Sequence, residues 1–169
     1  MSVNYIPVQW NRAKWYYDAV LLAMVVLYIA IYLRLGGAVG EGGNPVDTPI
    51  LRARAFGSCA FFMVTIILMI GPLARLDRRF LPLLYNRRHF GVLTFFVALG
   101  HADFIMGWYF AFSPTPRWEA LLSANTAYGA LLGFPFELLG LAALLCFAVL
   151  ALTSHDFWLS FLTPRLWKW

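Results

Sequence analysis

Four long apolar runs, each bounded by charged or turn-forming residues, divide the chain: Ala19 to Leu35, Ala55 to Pro72, Phe90 to Phe112 and Phe134 to Thr153. Each approaches the roughly 20 apolar residues that a helix needs to cross a hydrocarbon layer about 30 Å thick. A spanning segment must satisfy every backbone N–H and C=O internally, which leaves only helices and closed barrels. These runs are too long and too continuously apolar for the alternating strands of a barrel. The pattern therefore predicts an all-α fold, an integral membrane helical bundle with four transmembrane helices and no soluble domain. The first run is longer than the apolar core of a secretory signal, and no small-residue cleavage site follows it, so it is expected in the mature protein. Gly36, Gly37, Gly40, Gly42 and Gly43 form a loop back to the second run. Ser113 to Trp118 (SPTPRW) reads as a turn leaving the third helix. The segment Glu119 to Gly133 reads either as a short helix or as a stretch along the outer surface.

Composition agrees: 62% of the 169 residues are apolar and 12% charged, against about 25% charged in an ordinary soluble domain. The Lys and Arg residues divide unequally between the two ends of the bundle. Arg12, Lys14, Arg75, Arg78, Arg79, Arg87, Arg88, Arg165 and Lys168 share the side of both termini, and Arg34, Arg52, Arg54 and Arg117 the other, nine against four of 13. By the positive-inside rule both termini are cytoplasmic. The net charge of +5 is thus a topology signal. The basic residues flank helices and form no stripe with interleaved aromatics, so no nucleic acid is expected as a partner. Trp10, Trp15, Tyr16, Tyr17, Tyr85, Trp108, Tyr109, Trp118, Trp158, Trp167 and Trp169 cluster near helix ends, as in an interfacial aromatic belt. Cys59 and Cys146 fit no metal-binding spacing and read as buried apolar residues.

Hydrolytic and phosphoryl-transfer chemistry finds nothing to run on. There is no phosphate-binding glycine loop and no Ser/His/Asp set, and iron–sulfur ligation lacks its cysteines. The chemistry-bearing stretch is Arg87 to His101, RRHFGVLTFFVALGH. His101 lies twelve residues beyond His89, roughly 18 Å along the axis at the helical rise. With His89 at the membrane surface, His101 falls near mid-depth, where an ionisable side chain needs a partner and is a functional candidate. Neutral imidazole is a common ligand of haem iron. The alternative is a hydrogen bond to a neighbouring helix, with Gly100 beside it admitting a flat ring or close helix packing. Asp103 is two residues on and points elsewhere, since two residues turn a helix about 200°. It reads as a proton or cation group, or as a hydrogen-bond acceptor from a neighbouring helix's Ser, Thr or Tyr. Glu137 sits at the outer end of the fourth run. His89 and His155 fall at cytoplasmic helix ends, too far in depth to share an iron with His101. Met63 lies near mid-depth on the neighbouring antiparallel helix, where His/Met ligation competes with packing as its role.

Pro72 to His101 (PLARLDRRFLPLLYNRRHFGVLTFFVALGH) resembles the second-to-third-helix region of bacterial ferric-reductase-like transmembrane domains. That group includes the haem-binding membrane partner of periplasmic methionine sulfoxide reductase. The opening VQWNRAKWYYD (Val8–Asp18) and closing LTSHDFW (Leu152–Trp158) are similar to a branch that often carries a Rieske-type domain after the membrane part. On this resemblance residues 1–169 are a single domain of the bacterial cytoplasmic membrane. It implies an oxidoreductase membrane component holding haem b between histidines of two helices. His101 matches the ligand of the third helix, and would bind the haem iron. The partner histidines of the family lie on a fifth helix, after a Trp-Lys pair similar to Trp167-Lys168. The chain is accordingly expected to lack those closing helices and the second ligand.

Two functions follow as expectations. The first is membrane electron transfer through b-type haem, with a quinone or flavin donor met at the cytoplasmic surface by Arg87 and Arg88, residues whose plainer role is anchoring. The second is a haem-free accessory subunit packed in a larger respiratory or photosynthetic complex. Both place the chain in the lipid bilayer beside additional transmembrane helices or subunits. A small-solute transporter is disfavoured, because inverted repeats and paired interrupted helices are missing.

Overall fold

The computed structural model of the chain describes residues 12–36, 46–123, 125–129 and 133–154. Helices account for almost all of them, in the order α1 (Arg12–Gly36), α2 (Thr48–Leu76), α3 (Leu81–Phe112), α4 (Arg117–Ser123) and α5 (Phe136–Thr153). Four of these, α1, α2, α3 and α5, are long and apolar enough to cross a membrane. The fold is the all-α membrane bundle expected from the hydrophobic pattern.

The helices begin earlier than the apolar runs or end later, because the helical hydrogen-bond ladder continues through polar flanks. Proline marks the entries, in the first turns of α2 and α3, where its missing N–H costs nothing. Pro72 does not end α2, which continues to Leu76. Proline carries a helical φ, and lipid offers the residues beyond it no other hydrogen-bond partners. The real stop is Asp77, whose backbone turns extended while its carboxylate accepts the Arg79 N–H at 2.9 Å. This opens the 3-10 turn Arg78–Phe80 that reverses the chain into α3. Between α3 and α5, residues 117–123 form the short helix α4, with Ala120 and Leu121 buried. Gly133 adopts φ +83°, and its carbonyl accepts the Ala127 N–H at 2.9 Å. A left-handed backbone there favours glycine.

The antiparallel pair α2–α3 forms the most extensive interface, with α1 packed mainly on α2 and α5 on α3. A small core gathers Val25 of α1, Cys59, Ala60, Met63 and Ile70 of α2, and Phe90 and Val97 of α3. Lipid is as apolar as these side chains, so helix association rests on close packing and polar ties. Two ties hold α1. The Tyr28 hydroxyl donates to Ser58 Oγ at 2.9 Å, and that hydroxyl donates on to Arg54 O at 2.8 Å. Toward the basic end, His89 Nδ1 of α3 meets Asp18 Oδ2 of α1 at 2.9 Å. Thr94, 1% exposed, satisfies its hydroxyl on Phe90 O within its own helix. Trp15, Tyr16 and Trp118 are exposed near helix ends, as a belt requires. Cys59 is buried, but Cys146 is exposed on α5, contrary to expectation. An exposed thiol is unremarkable on a helix whose surroundings are lipid. The loop 37–45, Trp10, Trp158 and Trp169 lie outside the described residues.

Close approach of α2 and α3 depends on Gly100, where a Cβ would come within 2.9 Å of the Phe56 ring. That ring is held from its other side by Phe104, centroids 5.2 Å apart. Gly100→Val is expected to destabilise the bundle by about 1–3 kcal/mol. Gly107→Val, facing open space, should stay within about 0.5 kcal/mol; unfolding in mixed micelles measures both. Helix order predicts a second result. In a background lacking Cys59 and Cys146, thiols introduced by Leu76→Cys and Thr115→Cys should be labelled from opposite faces of the membrane. Labelling of both from one face would contradict a membrane-crossing α3.

Candidate functional site

His101 sits on α3 within the span Asn86–Trp108. It lies four residues past the central Val97, about 6 Å toward the α3 C-terminal end. It is half-buried, and its ring is turned onto α2. Nδ1 is 2.8 Å from Ala53 O. A carbonyl oxygen only accepts, so Nδ1 carries the proton and donates. A neutral ring then keeps its lone pair on Nε2. Such second-partner bonds to backbone carbonyls are how metal-ligating histidines are held in one tautomer.

The ring rests against Gly57, where a Cβ would meet Cε1 and Nδ1 at 2.8 Å and Nε2 at 3.4 Å. Gly57, not Gly100, is thus the residue that admits the imidazole. Gly100 instead receives Phe56. The two helices interlock reciprocally, an α2 glycine under an α3 ring and an α3 glycine under an α2 ring. Ala53, one turn before Gly57 on the same face of α2, is buried. Neither Gly57 nor Ala53 stands out in the sequence, because which side of α2 faces α3 is not written in an all-round apolar run.

His101 also lines a cleft of about 1100 Å³ bounded by α3, α4 and α5. Its walls are mostly apolar, from residues such as Phe96, Leu99, Leu144 and Phe147. Polar groups are few: His101 and Asp103 on the α3 wall, and Arg117 and Glu137 where α4 and α5 begin, flanked by Trp108 and Trp118. Asn125 Nδ2 donates to Glu137 Oε1, which ties the start of α5 to the preceding turn. The space slightly exceeds the roughly 300–1,000 Å³ of small-molecule pockets and has their usual apolar lining and sparse polar groups. Asp103 lines the same cleft but is exposed, and no hydrogen bond joins it to another described residue.

The remaining candidates separate from His101. Met63 is 5% exposed inside the small core, with the Cys59 thiol 3.9 Å from its sulfur. It is six residues beyond Gly57 along α2, about 9 Å in depth from the imidazole, so it serves packing. His89 lies about 18 Å down α3, paired with Asp18. Asp18 was legible only as the acid closing a basic and aromatic N-terminal stretch, and nothing there signalled His89 as its partner. Arg87 and Arg88 are exposed on α3. His155, Trp167 and Lys168 lie outside the described residues. Among the described residues no group of three or more His, Cys, Asp or Glu side chains is placed to hold a metal ion.

One imidazole with a fixed tautomer, lining a large apolar cleft at membrane depth, suits one axial position of a haem. No second histidine among the described residues lines the cleft, and Met106 is the one methionine that does. Comparison with known proteins bears on this geometry. No curated protein and no solved structure matches the chain. The model of one family, the ferric reductase like transmembrane component, matches residues 55–169, from within α2 through α3, α4 and α5 and leaving α1 outside. With two-thirds of its length in that match, the chain belongs to the ferric reductase like transmembrane component family, as a multi-pass membrane protein.

Proposed function

We propose that this protein is a membrane electron-transfer component that holds a b-type haem in the α3–α4–α5 cleft, with His101 as one axial ligand. The bond from His101 Nδ1 to Ala53 O is the observation that carries the reading. It leaves Nε2 as the ring's electron-pair donor, in a side chain that lines the apolar cleft beside α3. Domains of the ferric reductase like family generally bind haem within the membrane, which supports the same assignment. When bound, the haem supplies a one-electron carrier whose potential depends on axial ligands and burial. The chain's own residues bind and orient it. Ala53 and Gly57 hold the imidazole, and Phe96, Leu99, Leu144 and Phe147 keep water from the cleft.

The second axial ligand comes from a helix beyond the described residues, in this chain or in another subunit. That helix also covers the open side of the cleft, where Asp103 would otherwise meet lipid, an environment that ionisable groups rarely face. Residues 1–169 act as one domain, since Tyr28 and Asp18 tie α1 to α2 and α3. The host membrane is the bacterial cytoplasmic membrane, with both termini cytoplasmic by the nine-to-four Lys/Arg split. A quinone or flavin donor approaches the basic side near Arg87 and Arg88.

A second reading, a haem-free accessory subunit of a larger complex, draws on the same bond. A mid-membrane histidine that donates to Ala53 O already has a partner without any cofactor. Absorbance of the purified protein separates the two. Reduced b-type bands that vanish in His101→Ala and persist in His89→Ala support electron transfer. A colourless protein, or full haem content in His101→Ala, overturns the haem assignment.

A further inference from the structure

We infer that Gly57 and the Ala53 carbonyl are positioning residues that set the tautomer and ring orientation of His101, and through them the electron-donating strength of its Nε2. The inference rests on the proposed haem role for its functional meaning, but the seat itself is a property of the polypeptide.

Two contacts define the seat. The Ala53 carbonyl lies in the second turn of α2, at 2.8 Å from Nδ1. A carbonyl oxygen has two lone pairs, so it serves its own helix and the imidazole together. Gly57, one turn on, presents bare backbone to the Nδ1–Cε1 edge of the ring. A Cβ there would stand 2.8 Å from both atoms. The neighbours leave the ring no easy retreat. Phe56 is wedged over Gly100 on one side of the seat and against Phe104, and Ala53, whose carbonyl takes the bond, is itself buried. Any side chain at position 57 must therefore displace the imidazole away from α2, and the bond to Ala53 O lengthens or breaks.

The chemical consequence follows from the proton on Nδ1. Donation to a carbonyl pushes electron density toward Nε2 and raises its basicity as a ligand. A more basic imidazole favours the ferric over the ferrous state of a bound iron. Loss of the bond releases the tautomer and weakens that preference. Polar second partners of ligating histidines commonly change metal affinity by about 10- to 100-fold. Gly57 acts here through His101.

The test is Gly57→Ala, read at the imidazole rather than through stability, because alanine also strengthens the helix and the two effects oppose each other. In haem-free protein in bilayers, nitrogen-15 NMR of the ring should report a single Nδ1–H tautomer for the native chain and a mixed or exchanging ring in Gly57→Ala. In haem-loaded protein the substitution should lower haem affinity about 10- to 100-fold, raise the midpoint potential and shift the ferric electron-paramagnetic resonance. Ala60→Val crowds the same helix within the Val25–Met63–Val97 core, and it should leave all three signatures at native values. Native ring shifts in Gly57→Ala, or equal changes in Ala60→Val, would overturn the inference. The NMR arm needs no haem, so failure of the haem assignment, seen as unchanged absorbance in His101→Ala, is distinguishable from failure of the seat.

Discussion

The reciprocal fit of α2 and α3 is the constraint on which the bundle depends. Gly57 admits His101, and Gly100 admits Phe56. In water, such a pair of helices would be driven together by burial of apolar area. In lipid that drive vanishes, and what remains is the closeness of contact and the few polar bonds across it. Two glycines at this crossing let backbones and rings meet without intervening side chains. The contact also places the membrane-buried imidazole, so packing and candidate chemistry share the same four residues.

The other helices add to this pair in graded fashion. α1 contributes Val25 as its buried side chain among the described residues, packs Leu21, Tyr28 and Ile29 against the core, and is tied by the Tyr28–Ser58 hydroxyl pair and the Asp18–His89 contact. Both polar ties act where water does not compete fully, so each counts for more than a surface pair. α5 has no buried residue. It packs on α3 beside the cleft, and its start is tied to the preceding turn through Glu137 and Asn125. The result is a tight α2–α3 spine with a more open side, and the open side carries the cleft.

Polar groups in that cleft are arranged by depth. His101 lies closest to the membrane centre with its Nδ1–H committed to Ala53. Asp103 follows two residues outward, and Arg117 and Glu137 come last beside two tryptophans. The sequence places the aromatics and the arginine at the interface, where amphipathic side chains are stable. The cleft extends that interfacial polarity inward as far as His101.

Apolar length is a one-dimensional property, and the hydrophobic runs alone determine four membrane-spanning helices, their antiparallel order and the basic and less basic ends. Similarity over Pro72–His101 identified the family, and the depth of His101 singled it out before any contact was known. Rotation and register are different matters. These helices are apolar around their whole circumference, so no polar face records which side meets a neighbour. Only the tertiary structure decides that His101 turns to α2, that Gly57 rather than Gly100 receives it, and that Met63 joins the core. The partnership of Asp18 with His89, 71 residues apart, is likewise invisible until α1 and α3 stand side by side. Local sequence sets where a helix crosses the membrane; the packing of small residues against rings sets which side chains face one another.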